Sequence, residues 1–188
     1  MRYDDMRTFR QVIFNAKRAH PNQDLVTWKS DVSSAFLNLP AHPIYQLRQV
    51  VDVEGIWHLI HRLVFGNRAS PRCWCSVSGL MCWITIKKFD IEDLHDFMDD
   101  FFSWGIGSNL VLYKGISSPC LQARLLMFWD AIGCPWKEMK QEFGKELKII
   151  GFYVNINQGT LTLTDKSISD IISVVRNFLA TPGRRLPL

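Results

Sequence analysis

The chain has 188 residues, 47% of them hydrophobic and 12% aromatic, enough apolar material for one packed domain and too much for wholesale disorder. Lys and Arg number 22 against 18 Asp and Glu, and the net +4 suits a polyanionic partner without demanding one. No apolar run reaches the ~18 residues of a membrane span, and the first ten residues are too charged for a secretory signal. The expected place is therefore intracellular, in cytoplasm or nucleus.

The elements follow in chain order. Residues 3–20 read as a helix with Phe9, Val12, Ile13 and Ala16 on one face, ended by Pro21-Asn22. Residues 25–31 read as a short strand. Residues 47–53 and 56–63 are β-rich and flank the turn Glu54-Gly55, the pattern of a hairpin. Ser70-Pro71 offers an N-cap and a first helical residue, so a helix is expected over residues 71–87, with Leu80, Trp83 and Ile84 facing the core. Residues 95–98 and 101–104 flank Asp99-Asp100, which predicts a tight hairpin with the acids at its tip.

Ser118-Pro119 opens a further predicted helix with the stripe Leu121, Leu125, Phe128 and Ile132, closed by Gly133. Residues 147–156 and 160–163 flank Asn157-Gln158-Gly159 as another hairpin. Asp165 caps a last helix whose stripe is Ile168, Ile171, Ile172, Val175 and Leu179, and residues 181–185 have the composition of a linker. Interleaved strands, hairpins and helices predict an α+β fold, an antiparallel or mixed sheet with helices packed on one face. Five cysteines is an odd number, which points to free thiols, and Cys73 and Cys75 lack a second ligand pair at zinc-like spacing.

Two segments set acids among apolar residues. In the first, Asp31 ends a strand and Phe36 follows five residues later; in the second, Asp99-Asp100 sits between Phe97-Met98 and Phe101-Phe102. Acids placed beside a core are costly unless cations neutralise them. A hard divalent ion does so directly, and carboxylates from two neighbouring strands can hold two Mg²⁺ ions ~3.5–4 Å apart for in-line phosphoryl transfer. The pair alone is weak evidence, since Asp4-Asp5 is another and reads as a solvated helix start.

The order of the segments adds more. Asp31-Val32-Ser33-Ser34-Ala35-Phe36 resembles motif A of reverse transcriptases, and Phe65-Gly66-Asn67-Arg68-Ala69-Ser70-Pro71 resembles motif B. Phe97-Met98-Asp99-Asp100 resembles the Tyr-x-Asp-Asp box of motif C, residues 133–143 resemble motif D, and Ile149-Ile150-Gly151-Phe152 resembles motif E, the primer grip. Five such motifs in family order form a specific signature, and their flavour is similar to fungal retrotransposon polymerases of the tyrosine-recombinase type.

The resemblance implies a polymerase palm and an RNA-directed DNA polymerase activity. It implies Mg²⁺ (or Mn²⁺) held by Asp31 and Asp99 with Asp100 in support, and an RNA/DNA primer-template and dNTPs as partners. It implies Phe36 as the ring that excludes a ribose 2′-hydroxyl, and Gly66, Ser70, Pro71, Phe97 and Met98 around the nucleotide. Ile150, Gly151 and Phe152 would form the primer grip. Lys140, or Lys137 close by, would be the lysine that protonates pyrophosphate. Residues 1–24 would be a residual edge of the fingers, 25–164 the palm, and 165–188 a helix and linker towards a thumb. Two departures stand out: Phe97 replaces the usual Tyr, and Val64-Phe65 replaces the usual Pro-Gln before Gly66. The competing reading is an inactive retroelement remnant that binds nucleic acid or a partner. A nucleotide cyclase, another two-metal palm, would need neither the Ser-Pro helix nor Gly151.

Overall fold

The computed structural model describes residues 6–180; the expected helix start at residue 3 and the linker 181–185 lie outside them. At its centre is an antiparallel sheet built on β1 (Leu25–Val32). Its neighbours are β5 (Asp100–Ile106) on one side and β8 (Trp136–Gly144) on the other, and β4 (His95–Phe97) completes the order β4-β5-β1-β8. Strand β1 is buried along almost its whole length. That is the pattern of a strand covered on both faces, and it explains why its sequence does not alternate cleanly.

One face receives two helices, α3 (Ala69–Phe89) and α4 (Cys120–Ala131). Trp28, Val32 and Phe101 of the sheet pack there with Trp74 and Met81 of α3 and Leu125 and Trp129 of α4. Phe101 meets Trp129 edge-on at 5.1 Å, and Phe89 of α3 meets Phe128 of α4 at 5.2 Å. The two helices therefore share one face, as expected. The other face takes α1 (Met6–Ala19), whose Phe9, Ile13 and Ala16 are buried with Leu25 and Phe102. Phe9 stands edge-on to Phe102 at 4.9 Å. Each such ring contributes ~1.5–3 kcal/mol by leaving water.

The outlying elements are short. Helix α2 (Pro43–Gln46) precedes a hairpin of β2 (Val50–Val53) and β3 (Ile56–Leu59), turned at Glu54-Gly55 as predicted. A hairpin of β6 (Leu110–Tyr113) and β7 (Ile116–Pro119) precedes α4 and was not expected. Strands β9 (Glu146–Ile149), β10 (Phe152–Asn155) and β11 (Thr160–Leu163) form a small sheet, and α5 (Asp165–Ala180) follows.

Several expectations are corrected. Residues 147–156 are not one strand. They fold back at Ile150-Gly151, where both φ values are positive (47° and 80°), as a two-residue type I′ connection requires. Residues 136–144, read only as a motif, form β8. Helix α3 starts two residues before Pro71, so Ser70 lies inside its first turn; Asn67 Oδ1 accepts the Ala69 amide at 2.9 Å instead. Leu80 and Trp83 are each 56% exposed, because the face of α3 turned inward is the one bearing Trp74, Ser78, Met81 and Cys82. Ile132 lies past the last turn of α4 and is exposed. The stripe on α5 exists, but no element among the described residues covers it, and Ile168, Ile171, Ile172, Val175 and Leu179 are all exposed. Thr164, not Asp165, caps that helix, with Oγ1 accepting the Ser167 amide.

Candidate active site

The register of the central sheet brings the acids together. Asp31 lies directly opposite Asp100 on the neighbouring antiparallel strand. By strand alternation both side chains emerge on the face opposite Trp28 and Phe101, away from α3 and α4. Asp99 lies in the two-residue connection Met98-Asp99 between β4 and β5, because Phe97 pairs with Asp100. Met98 has φ 59° at the first loop position, the II′ arrangement. Glycine is favoured there, and a bulkier residue needs support from its surroundings. The Val32 amide donates to the Asp99 carbonyl at 3.0 Å and ties this turn to the end of β1.

A lysine comes from the opposite edge. Ser30 pairs with Gln141 and Val32 with Trp136, so β8 carries extra residues there and bulges. The bulge contains Lys140, whose Nζ reaches Asp31 Oδ1 at 2.5 Å. Of the two lysines left open by the sequence, Lys140 is the one brought to the acids. Lys29, two residues before Asp31 and on the same face, pairs with Glu142 at 3.0 Å. Sequence reading passed over Lys29, although period-2 alternation from Asp31 points to it. Beneath the strands, the fully buried Gln122 of α4 donates from Nε2 to the Lys29 carbonyl at 3.0 Å.

Electrostatics reflect this crowding. Burial raises the Asp99 carboxyl above the ordinary carboxylate range, and the nearby Asp31 charge adds to the rise, against the opposing pull of its backbone bond and Lys140. Burial likewise pushes Asp100 up to about 6; the charges of Asp99 and Asp31 add to this, and Lys29 and Lys140 oppose it. The hydrogen bond to Asp31 raises Lys140, with all three acids favouring its charged form.

The remaining candidates fall nearby or below. Phe36 is buried in the short 3₁₀ turn Ala35–Asn38, its ring 4.8 Å from that of the exposed Phe65. Gly66 has φ 84° and nothing within 4 Å of where a Cβ would stand, leaving open space over its backbone. Ser70 is fully buried and its hydroxyl has no partner, while Pro71 is partly buried in the first turn of α3. Phe97 and Ile150 pack on the core shared with α1, and Met98 packs on the core shared with α3. Gly151 occupies the β9–β10 turn and Phe152 begins β10.

The donor set is three carboxylates, the hard oxygen chemistry that suits Mg²⁺ or Mn²⁺. Two of them carry a burial cost that a bound cation would relieve. Among the described residues no group of three or more His, Cys, Asp or Glu side chains already converges on a common metal position. The Lys140 ammonium on Asp31 is consistent with this: it takes up one of the carboxylates such a group needs. None of the five cysteines forms a disulfide, and none joins the acids. Among the described residues no helix is long and apolar enough to cross a membrane.

No protein-family model matches the chain, and no curated protein does. Solved structures do. The foamy viral protease-reverse transcriptase in complex with an RNA/DNA hybrid matches at TM-score 0.55 and 18% identity, over 79% of this chain and 18% of that one. The dRH form of that protein in complex with double-stranded DNA matches at TM-score 0.58 and 18% identity, over 80% of this chain and 24% of that one. The chain thus spans less than a quarter of the length of these structures. At this identity the likeness speaks for the fold alone, and the fold is reverse-transcriptase-like.

Proposed function

We propose that this chain is the catalytic palm of an RNA-directed DNA polymerase, a nucleotidyltransferase that joins dNTPs to the 3′-hydroxyl of a primer paired with an RNA or DNA template. The observation that carries the reading is the meeting of Asp31, Asp99, Asp100 and Lys140 at one end of the central sheet, from three separate segments. The fold neighbours, described as complexes with an RNA/DNA hybrid and with double-stranded DNA, support a nucleic-acid partner. The finer placement in a fungal retrotransposon of the tyrosine-recombinase type draws its support from the motifs alone.

In this reading Asp31 and Asp99 hold Mg²⁺ (or Mn²⁺) and Asp100 supports them. When bound, the ions supply a lowered pKa at the primer hydroxyl and charge neutralisation on the triphosphate. Lys140, held as the ammonium form by the three acids, leaves Asp31 as the nucleotide arrives and gives its proton to the departing pyrophosphate. Phe36, backed by Phe65, presents a ring edge to the sugar and rejects a 2′-hydroxyl. The open backbone at Gly66 admits the nucleotide, over the floor made by Ser70 and Pro71. The turn Ile150-Gly151 and Phe152 steady the primer end.

The test is primer extension with the chain grafted between related fingers and thumb. Mg²⁺-dependent extension is expected, abolished by Asp99→Asn and opened to ribonucleotides by Phe36→Ala. A folded chimera that binds primer-template and extends nothing would replace this reading with that of an inactive nucleic-acid-binding remnant.

A further inference from the structure

We propose that Trp74 is a positioning residue: its indole N–H holds the middle peptide of the Met98-Asp99 turn and so aims the Asp99 carboxylate. The proposal rests on the polymerase reading for its purpose, though not for its geometry.

Helix α3 is fastened to β4 and its turn at successive helical turns. Trp74 Nε1 donates to the Met98 carbonyl at 2.8 Å, and Ser78 Oγ donates to Asp96 Oδ2 at 2.8 Å. Cys82 Sγ donates to the Leu94 carbonyl at 3.6 Å, and Cys75 Sγ lies 3.5 Å from Met98 Sδ. The Trp74 bond differs from the rest in where it lands. The Met98 carbonyl belongs to the peptide that joins the two loop residues of the hairpin. Rotation of that peptide interconverts the turn types of two-residue hairpins and swings the next Cα–Cβ bond with it.

With φ 59° at a methionine, this turn is held by its surroundings and not by local preference. Trp74 grips it on the amino side of Asp99, and the Val32 amide grips the Asp99 carbonyl on the other at 3.0 Å. Asp99 is thereby fixed to both α3 and β1. Trp74 is only 2% exposed, so its N–H is kept from water and spends itself on this carbonyl.

Two other buried tryptophans serve as controls in the same protein. Trp129 Nε1 is buried without a partner, so Trp129→Phe removes an indole N–H that holds nothing. Trp28 Nε1 donates to the Trp104 carbonyl at 3.1 Å, so Trp28→Phe removes a real indole bond away from the acid turn.

The experiment uses the full chain with two readouts. The first, amide hydrogen exchange of Val32, needs no metal. In the wild type the Trp74 indole proton and the Val32 amide are expected to show the same opening free energy, each rate being referred to the intrinsic rate of its own group, as one opening unit. Trp74→Phe is expected to speed Val32 exchange at least 10-fold beyond any change in global unfolding, while Trp28→Phe and Trp129→Phe do not. The second readout is Mn²⁺ affinity. Trp74→Phe is expected to weaken it on the order of 10-fold, with both controls unchanged.

Different opening free energies for the two protons in the wild type, or equal Val32 exchange in Trp74→Phe and Trp28→Phe, would overturn the proposal. So would unchanged Mn²⁺ affinity in Trp74→Phe. Wild-type protein with no Mn²⁺ binding that depends on Asp31 and Asp99 would instead sink the polymerase reading, and the exchange arm would still decide whether Trp74 holds the turn.

Discussion

Asp100→Asn should make the protein more stable at neutral pH, and the gain should fade in acid. Asp100 faces Asp31 across the β1–β5 pair. Burial, with the charges of Asp99 and Asp31 behind it, pushes its carboxyl up to about 6. An unfolded carboxyl titrates near ~3.9, which would make the full rise ~3 kcal/mol; solvent still reaches this half-buried carboxyl, and screening leaves ~2 kcal/mol. The sign follows from proton binding. Between the two pKa values the folded protein keeps a proton that the unfolded chain releases, so stability falls as pH rises from about 4 to about 6. Above that window the ~2 kcal/mol cost is present in full. Asparagine carries no charge and so lacks the cost. The expected gain is ~2 kcal/mol at pH 7.5 and ~0.5 kcal/mol at pH 4.5. At ~2–4 °C per kcal/mol for a chain of this size, Tm should rise by ~4–8 °C at pH 7.5. Melts followed by circular dichroism in EDTA give the comparison directly. A Tm that falls at pH 7.5, or a gain equal at both pH values, would show that Asp100 is not a desolvated, charge-crowded carboxylate.

Three further outcomes can be checked. Lys140→Met frees Asp31 of its ammonium partner; because that pair is partly exposed it is worth only ~1–2 kcal/mol, so Mn²⁺ binding by calorimetry should tighten ~5–30-fold, and weaker binding would contradict the competition described above. Burial pushes the Cys134 thiol up to about 11 while Cys73 is exposed, so at pH 8 mass-mapped alkylation should label Cys73 well before Cys134, and equal labelling would refute the burial of Cys134. Trp129→Ala should cost ~3–5 kcal/mol in denaturant unfolding and Trp83→Ala no more than ~0.5 kcal/mol, since Trp129 is fully buried and Trp83 is 56% exposed; comparable losses would reverse the assignment of α3's inner face.

The local pieces and the order of the motifs are legible in short windows of the chain. Glu54-Gly55, the acids beside the β4–β5 turn, Gly133 and the apolar face of α1 are short-range signals, carried by backbone preference and by helical or strand period. They were enough to name Asp31, Asp99 and Asp100 and to expect them on neighbouring strands. Apolar period alone misjudged α3, because that helix is apolar nearly all round and nothing in its own residues says which side meets the sheet. It misjudged α5 for a related reason: an amphipathic stripe does not say whether anything lies against it. Strand β8 was missed because an edge strand with a bulge has no regular alternation to read.

Which residues touch is set by packing between segments far apart in the chain. Lys140 rather than Lys137 reaches Asp31 because β8 joins the free edge of β1 and bulges there, across 109 residues of chain. Trp74 finds the Met98 carbonyl 24 residues away only once α3 has packed on the sheet. Register, bulge position and helix placement are settled by the joint burial of Trp28, Phe101, Trp74 and Trp129. That is a sum over distant side chains, and no local window of sequence contains it.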